Sequence, residues 1–326
     1  MQKSDQFEYT SPLNSVTSDA VSLFRDDVLD GLNADQKFLP SKYLYDERGS
    51  RLFDRICELD EYYPTRTETQ ITIDNADSIG ECIGSNAVIV EYGSGSSTKT
   101  RVLLDHLEKP RAYMPVDISE DHLLCTSRKL QGEYPWLDIH PVVADFTSGF
   151  DLPADLDGER ICVYFPGSTI GNLEEYAATE LLQRIAWQCG PGGGALIGFD
   201  LQKSKEVLEL AYNDPHGVTA EFSLNVLRRI NRDLQADFDL SQYEHCSFYN
   251  EAKGRIEIYI ESLVDEVVEI SGEQIQMKCG ERIHTEYSHK YTIDGFAQMA
   301  AEAGLIQNRV WTDDREYFAL MHLKAQ

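Results

Sequence analysis

Residues 91–97, Glu91-Tyr92-Gly93-Ser94-Gly95-Ser96-Ser97, end an apolar run and open a helical pattern. In a strand–helix unit this is where main-chain N–H groups can meet a nucleotide-like ligand, and Gly93 and Gly95 would let it approach the backbone. The third glycine of a G-x-G-x-x-G turn is absent, with Thr98 in its place, and a plain tight turn explains the two glycines equally well. About twenty residues on, Asp117 closes the next apolar run, where a carboxylate can accept from ribose hydroxyls or cap a helix starting near Ser119. Asp145 and Phe146 close a third run: the carboxylate can take an exocyclic amine, and the ring can stack on a purine or fill core. Three acidic run-ends in succession favour a nucleoside ligand, because open α/β sheets bind ligands at their strand carboxyl ends. The missing third glycine argues against a dinucleotide.

A fourth run, residues 160–165, stops at Pro166 and Gly167 and passes into Ser168-Thr169-Ile170-Gly171-Asn172. Proline cannot donate to a ladder and glycine admits positive φ, so the chain turns sharply beside the other run-ends. Asn172 can both donate and accept, which suits a polar acceptor molecule such as an amino acid, or it can cap the helix that begins near Leu173.

The elements that must position these groups follow from periodicity. Strand patterns at 87–91, 112–117, 139–145, 160–165 and 195–200 alternate with helical patterns at 97–107, 121–130 and 174–188. That alternation implies right-handed βαβ units, a parallel sheet covered on both faces, and an α/β fold. The tail reads as a helix over 293–303, with Thr292 as its N-cap and Gly304 just past its end. Two strands joined by the short turn Asp313-Asp314-Arg315 follow, so an antiparallel hairpin closes the sheet. Between 201 and 291 helical patterns give way to alternating ones, too long for a connection, and a second subdomain is expected there. The expected division is 71–202 with 291–326 as the cofactor-binding domain, and 1–70 with 203–290 as an α+β substrate-binding subdomain.

Composition narrows the partners. The 326 residues hold 29 Lys and Arg against 56 Asp and Glu, a net charge of −27, which disfavours nucleic acid and anionic membranes. No apolar run approaches membrane-spanning length and the start, Met1 to Glu8, has no apolar leader pattern, so a soluble cytoplasmic protein is expected. Seven scattered cysteines fit a reducing compartment, and the eight histidines show no ligand spacing, so no metal is expected.

Glu-x-Gly-x-Gly together with the closing hairpin resembles the Rossmann-like, seven-stranded sheet of class I S-adenosylmethionine-dependent methyltransferases. A more specific resemblance lies in longer segments. Residues 41–50 (Ser-Lys-Tyr-Leu-Tyr-Asp-Glu-Arg-Gly-Ser), Leu52-Phe53-Asp54 and 61–68 (Glu-Tyr-Tyr-Pro-Thr-Arg-Thr-Glu) are similar to the N-terminal signature of the histidine Nα-methyltransferases of ergothioneine biosynthesis. Similar segments follow in the same order at 93–99, 165–172, 211–214, 227–232 and 283–288, so the likeness runs from about residue 38 to the end.

The resemblance implies S-adenosylmethionine as cofactor, held at Gly93, Lys99, Asp117, Asp145 and Phe146, and L-histidine as substrate, held at Tyr45, Tyr62, Gly167, Asn172, Tyr212, Glu286 and Ser288. Tyr287, between the last two, is counted with them. Tyr45, Gly167 and Asn172 take the catalytic positions, with Tyr45 and the Gly167 carbonyl orienting the amine. Tyr62, Tyr212 and Asn172 can hold the carboxylate. Glu286 and Ser288 can serve the two imidazole nitrogens, a two-point reading that an indole or phenyl ring cannot satisfy. Departures from the family pattern fall at Tyr287, His289 and Ser223 and bear on substrate preference. The implied product is the trimethyl betaine hercynine, made by a monomer. Two alternatives stay open: an N-methyltransferase for another amino acid or biogenic amine, and a non-catalytic S-adenosylmethionine-binding protein.

Overall fold

The computed structural model describes residues 16–95, 98–153, 156 and 158–326. Met1 to Glu8, read above for a leader, and Ser96 and Ser97 of the glycine turn lie outside the described residues. Helices α1 (Val16–Asn33), α2 (Glu47–Cys57), α3 (Tyr63–Asp74) and α4 (Ala76–Ile83) precede the first strand. Then come β1 (Val88–Tyr92), α5 (Thr98–Leu104), β2 (Ala112–Asp117), α6 (Glu120–Glu133), β3 (Asp138–Ile139), β4 (Val142–Val143), β5 (Ile161–Phe165), α7 (Glu175–Cys189) and β6 (Gly194–Asp200). The insertion holds α8 (Lys205–Tyr212), α9 (Val218–Leu234), β7 (Tyr243–Asn250), β8 (Arg255–Ser262), β9 (Glu266–Ile270), β10 (Glu273–Met277) and β11 (Arg282–His289). The chain ends in α10 (Ile293–Glu302), β12 (Leu305–Thr312) and β13 (Phe318–Ala325).

The main sheet runs β12-β13-β6-β5-β1-β2-β3, with β4 also paired to β2. Strands β1, β2, β5 and β6 are parallel, while β13 lies antiparallel between β6 and β12. Every residue of β1 and β5 is buried, as a sheet covered on both faces requires. Along β1, Val88 and Val90 join one core cluster and Ile89 the other. The one strand expected over 139–145 is instead two two-residue strands, β3 and β4, parted at His140 and Pro141. Proline has no N–H for the ladder, so pairing with β2 lapses and resumes beyond it. The α10 cap holds as expected: the Thr292 hydroxyl accepts from Gly295 N at 3.1 Å, and Gly304 has φ +88°.

Chain order reverses between β1 and β5, because β2 and β3 lie to one side of β1 and β5 and β6 to the other. The crevice at such a switch point, outside the strand carboxyl ends, is where ligands bind in open α/β sheets. Over that crevice stands a second layer, the three-stranded antiparallel sheet β11-β8-β7 with α2, α8 and α9. Its core draws on residues 24–63 and 208–283 together. The insertion leaves the main sheet at Leu201 and rejoins it at Tyr291, and these two residues bridge each other, with Gln202 N donating to Tyr291 O and Tyr291 N to Asp200 O. Both crossings therefore pass through one hydrogen-bonded neck beside the strand ends.

Candidate active site

At the carboxyl end of β1, Gly93 and Gly95 adopt φ +69° and +48°, and Gly93 N donates to Val116 O at 2.8 Å. A Cβ on Gly93 would stand 3.8 Å from the Phe146 ring, so the absence of a side chain keeps a bare floor between that ring and the strand end. Phe146 stacks on Tyr92 (centroids 5.4 Å apart, planes 17°) and meets Phe165 edge-on, yet stays partly exposed. Both readings of Phe146 therefore hold, core on one face and platform on the other. Asp117 accepts from Gly95 N at 3.2 Å and from Ser119 N at 2.9 Å, so it ties the glycine turn to the start of α6. Asp145 accepts from Thr147 N and Oγ1 through Oδ1 alone. A bare backbone floor, an aromatic platform and two partly exposed carboxylates in a row fit an adenosyl group.

Glu91, the first acidic run-end, faces the opposite side of the sheet. It accepts from Thr100 Oγ1 and Tyr113 OH, both at 2.6 Å, and burial pushes its carboxyl up to about 7. Its part is to pin α5 to the sheet. Lys99 on α5 pairs with the fully buried carboxylate of Glu68 from α3, and the same Glu68 oxygen accepts Gly167 N at 2.9 Å. Lys99 and the Pro-Gly turn thus share one anion.

Beyond Gly167 a cavity opens between the two layers. Tyr45, Tyr62, Gly167, Asn172, Tyr212, Glu286 and Ser288 line it, with Phe53, Phe222, Ser223 and Ile258 among the rest. Each is delivered by a distinct device. Tyr45 precedes Asp46, whose carboxylate caps α2 through Gly49 N and takes Asn225 Nδ2 and Arg232 from α9. Tyr62 is held by Arg66, one turn into α3, which donates to its carbonyl and to that of Leu59. Tyr212 ends α8 just before Asp214, which caps α9 through Val218 N and Thr219 N. Gly167 (φ +81°) and Ser168 (φ +60°) make two left-handed residues in succession, and Ser168 Oγ accepts from Asp200 N at 2.9 Å. A non-glycine residue in that region is costly unless its surroundings impose it.

Asn172 caps nothing. It ends a 3₁₀ turn, α7 starts after Glu174 with no side-chain cap, and Asn172 Nδ2 donates to Glu286 Oε1 at 2.7 Å. Burial pushes the Glu286 carboxyl up to about 7, with Lys290 and the Asn172 bond pulling it down. Burial also pushes the Tyr45 and Tyr62 hydroxyls well above the usual tyrosine range, so both are neutral donors. Neither hydroxyl has a protein partner among the described residues.

The family model of histidine-specific, S-adenosylmethionine-dependent methyltransferases matches residues 24–325. The chain belongs to this family. It is 39% identical over 306 residues to the histidine N-alpha-methyltransferase of Mycolicibacterium smegmatis, covering 92% of this chain and 94% of that protein. Against the protein of that name from Mycobacterium tuberculosis the figures are 38% over 317 residues, 95% and 98%. Ergothioneine biosynthesis protein 1 of Neurospora crassa is 32% identical over 301 residues, covering 88% of this chain and 33% of that longer protein. No described helix is long and apolar enough to cross a membrane.

In this histidine-specific methyltransferase one expected contact is not brought to the cavity. Tyr287 faces away from it, under the Arg255 guanidinium (3.5 Å to the ring centroid) and against His284. The cause is a β-bulge: β11 pairs Ile283 with Ile260 and Glu286 with Ile258, and the register shifts between His284 and Glu286. One extra residue flips the faces, so Glu286 and Ser288 point inward with Ile283 and Tyr287 points out. Of the other departures, Ser223 does line the cavity and bonds His245 Nδ1 at 2.9 Å, while His289 is not among the lining residues.

Sequence reading also missed what stands behind Tyr212 and Ser288. Lys290, wholly buried, donates to Asp200 Oδ2 (2.8 Å), Ser288 Oγ (2.8 Å) and the Tyr212 hydroxyl oxygen (3.0 Å). Asp200 also accepts from Tyr63 OH and Lys203 Nζ. Burial works against the Lys290 charge, but Asp200 outweighs it and holds the ammonium protonated. Asp200, raised by burial, is held below the usual carboxylate range by the two ammoniums. Asp200 ends a strand and Lys290 lies just past another, and nothing in their local sequence marks them.

Proposed function

We propose that the protein methylates the α-amino group of L-histidine three times in succession, giving hercynine, a precursor of ergothioneine, and that it works as a monomer in the cytoplasm. The observation that carries this reading is the cavity itself. Seven of the eight side chains and backbone groups expected to hold histidine line one cavity, and Gly167 at its floor shares Glu68 with Lys99 on the cofactor side. Residues 1–70 and 203–290 would then supply most of the substrate contacts, and 71–202 with 291–326 the cofactor contacts.

S-adenosylmethionine, when bound, supplies a methyl group on a positively charged sulfur. Transfer is an in-line displacement, so the protein's task is to deliver a neutral amine, close and aligned. The α-amino group would give up its proton to solvent before transfer, and Tyr45 and the Gly167 carbonyl would aim its lone pair. Tyr62, Tyr212 and the second N–H of Asn172 would hold the carboxylate. The Asn172 bond fixes the Glu286 carboxylate, whose remaining oxygen faces an imidazole N–H, and Ser288 serves the other ring nitrogen.

Titration calorimetry with histidine, with and without S-adenosylhomocysteine, followed by mass spectrometry of a turnover mixture, tests the reading. The expected result is histidine binding coupled to the cofactor product and accumulation of the trimethyl betaine. A monomethyl end product overturns the threefold transfer. Cofactor binding with no histidine binding returns the non-catalytic alternative, and turnover of another amine in preference to histidine returns the other.

A further inference from the structure

The Tyr212 hydroxyl and Ser288 Oγ lie 2.8 Å apart at the wall of the cavity. Lys290 Nζ stands behind both, and its three contacts, Asp200, Tyr212 and Ser288, match the three N–H groups of an ammonium. An ammonium can only donate, so both hydroxyl oxygens accept from it. Two hydroxyl protons remain, and the contact between the oxygens consumes one. The pair can therefore give a single proton to whatever enters the cavity. Asp200 keeps this arrangement in force, because a buried amine without a carboxylate would lose its proton and become an acceptor. Asp200 is itself fixed by Tyr63, by Lys203 and through its backbone N–H by Ser168, so the ammonium has no freedom to turn away.

We propose that Lys290 is a positioning residue for substrate specificity, which makes Ser288 an acceptor toward the substrate ring. The inference rests on the reading that Tyr212 faces the substrate carboxylate. A carboxylate can only accept, so the one free proton goes to it from Tyr212. Ser288 must then donate to Tyr212, and its remaining lone pair faces the ring. A ring that brings an N–H satisfies Ser288, and with Glu286 accepting from the other ring nitrogen the histidine ring is held as its imidazolium, which donates at both. A ring with a lone pair there and no N–H leaves two acceptors facing each other in a buried site, which is strongly disfavoured.

The experiment compares L-histidine with β-(3-pyridyl)-L-alanine, whose ring nitrogen accepts but carries no N–H, by calorimetry on protein saturated with S-adenosylhomocysteine. The native protein should bind histidine at least about 100-fold more tightly, since rejecting a ligand that leaves a buried polar group unpaired reaches such factors. In Lys290→Met the hydroxyls are no longer pinned and Ser288 can turn its proton to the ring. The preference should then fall at least about tenfold. A Lys290→Met protein that binds S-adenosylhomocysteine normally but weakens both ligands in equal proportion overturns the proposal, since a merely structural lysine would do that. Ser288→Ala tests the same point with Lys290 in place. Histidine affinity should drop, while that of pyridylalanine should hold or rise, because removing the serine also removes the acceptor that faced its ring lone pair. If pyridylalanine weakens as well, Ser288 was donating to it and the proposal fails. A native protein that binds neither ligand overturns the histidine reading instead, a result distinct from either of these.

Discussion

At the proposed cofactor edge the contacts would come from Gly93, Asp117, Asp145 and Phe146, which lie at or just past the ends of β1, β2 and β4 in the order in which the chain makes those strands. The cavity proposed for the substrate draws Tyr45, Tyr62, Asn172, Tyr212, Glu286 and Ser288 from both layers and from segments 243 positions apart at their extremes. At the first edge the backbone does much of the work, through positive φ at Gly93 and a strand end that could lie in only one place. In the second, side chains do it, and each depends on a cap, a bulge or a buried ion pair elsewhere. A change in the cofactor edge should therefore act locally, and a change in the cavity should act on substrate selection while leaving the sheet and its cofactor alone.

The sharpest break of that comparison is Gly93→Val. A β-branched side chain at φ +69°, with its Cβ 3.8 Å from Phe146, should strain the turn and fill the floor. S-adenosylhomocysteine affinity should fall about 100-fold or more by calorimetry, with the far-ultraviolet dichroism unchanged. Retained affinity would mean that the edge is not built on the backbone after all. Glu286→Ala comes next: histidine affinity should drop roughly 10- to 100-fold, the usual effect of removing a charged hydrogen-bond partner, while cofactor affinity in the absence of histidine stays within about twofold. A parallel loss of cofactor binding would join the two regions that the comparison separates.

Glu286 also carries a stability effect of definite sign. Its folded carboxyl is raised to about 7 from 4.5, so the folded state favours the protonated form. Its contribution is fully present below about pH 4.5 and is lost as the pH rises through about 7, a swing of the order of 3 kcal/mol. Glu286→Gln should remove that swing. The variant should melt above the native protein at pH 8 and lose most of this advantage by pH 5, measured by calorimetric melting at both values. An unchanged difference across that range would show that Glu286 is not held near neutrality. The smallest effect is expected from Tyr287→Phe on the outer face of β11, where histidine affinity should move by less than about twofold. A larger loss would put Tyr287 back at the cavity.

Much of the site was legible because strand ends announce themselves. The acidic residue at the end of β2, the glycine turn after β1 and the Pro-Gly stop after β5 follow from short apolar runs punctuated by residues that cannot continue them. The breaks came where a local rule met a long-range one. Pro141 split the third strand because only pairing with β2 reveals where the missing N–H matters. Asn172 could be read as a substrate contact or as a cap ahead of a helix, and local sequence does not show that the cap goes unmade because one amide N–H is given to Glu286, 114 positions away. Tyr287 was counted with its neighbours Glu286 and Ser288, yet alternation along β11 puts it on the opposite face, and the bulge before Glu286, which local sequence does not announce, decides that the Glu286 and Ser288 face is the inner one.

The sequence by itself determined the α/β rhythm, the closing hairpin and the glycine turn, since these rest on periodicities of two and 3.6 and on the backbone limits of proline and glycine, while the residues of a histidine site were legible in it only through the resemblance to the family. Tertiary structure alone decided which of those residues meet. The pairing of Asn172 with Glu286, the inward turn of Ser288, and the Lys290–Asp200 pair behind it depend on contacts between distant segments across a buried interface. In that interface the cost of an unpartnered charge, rather than any local preference, selects the arrangement.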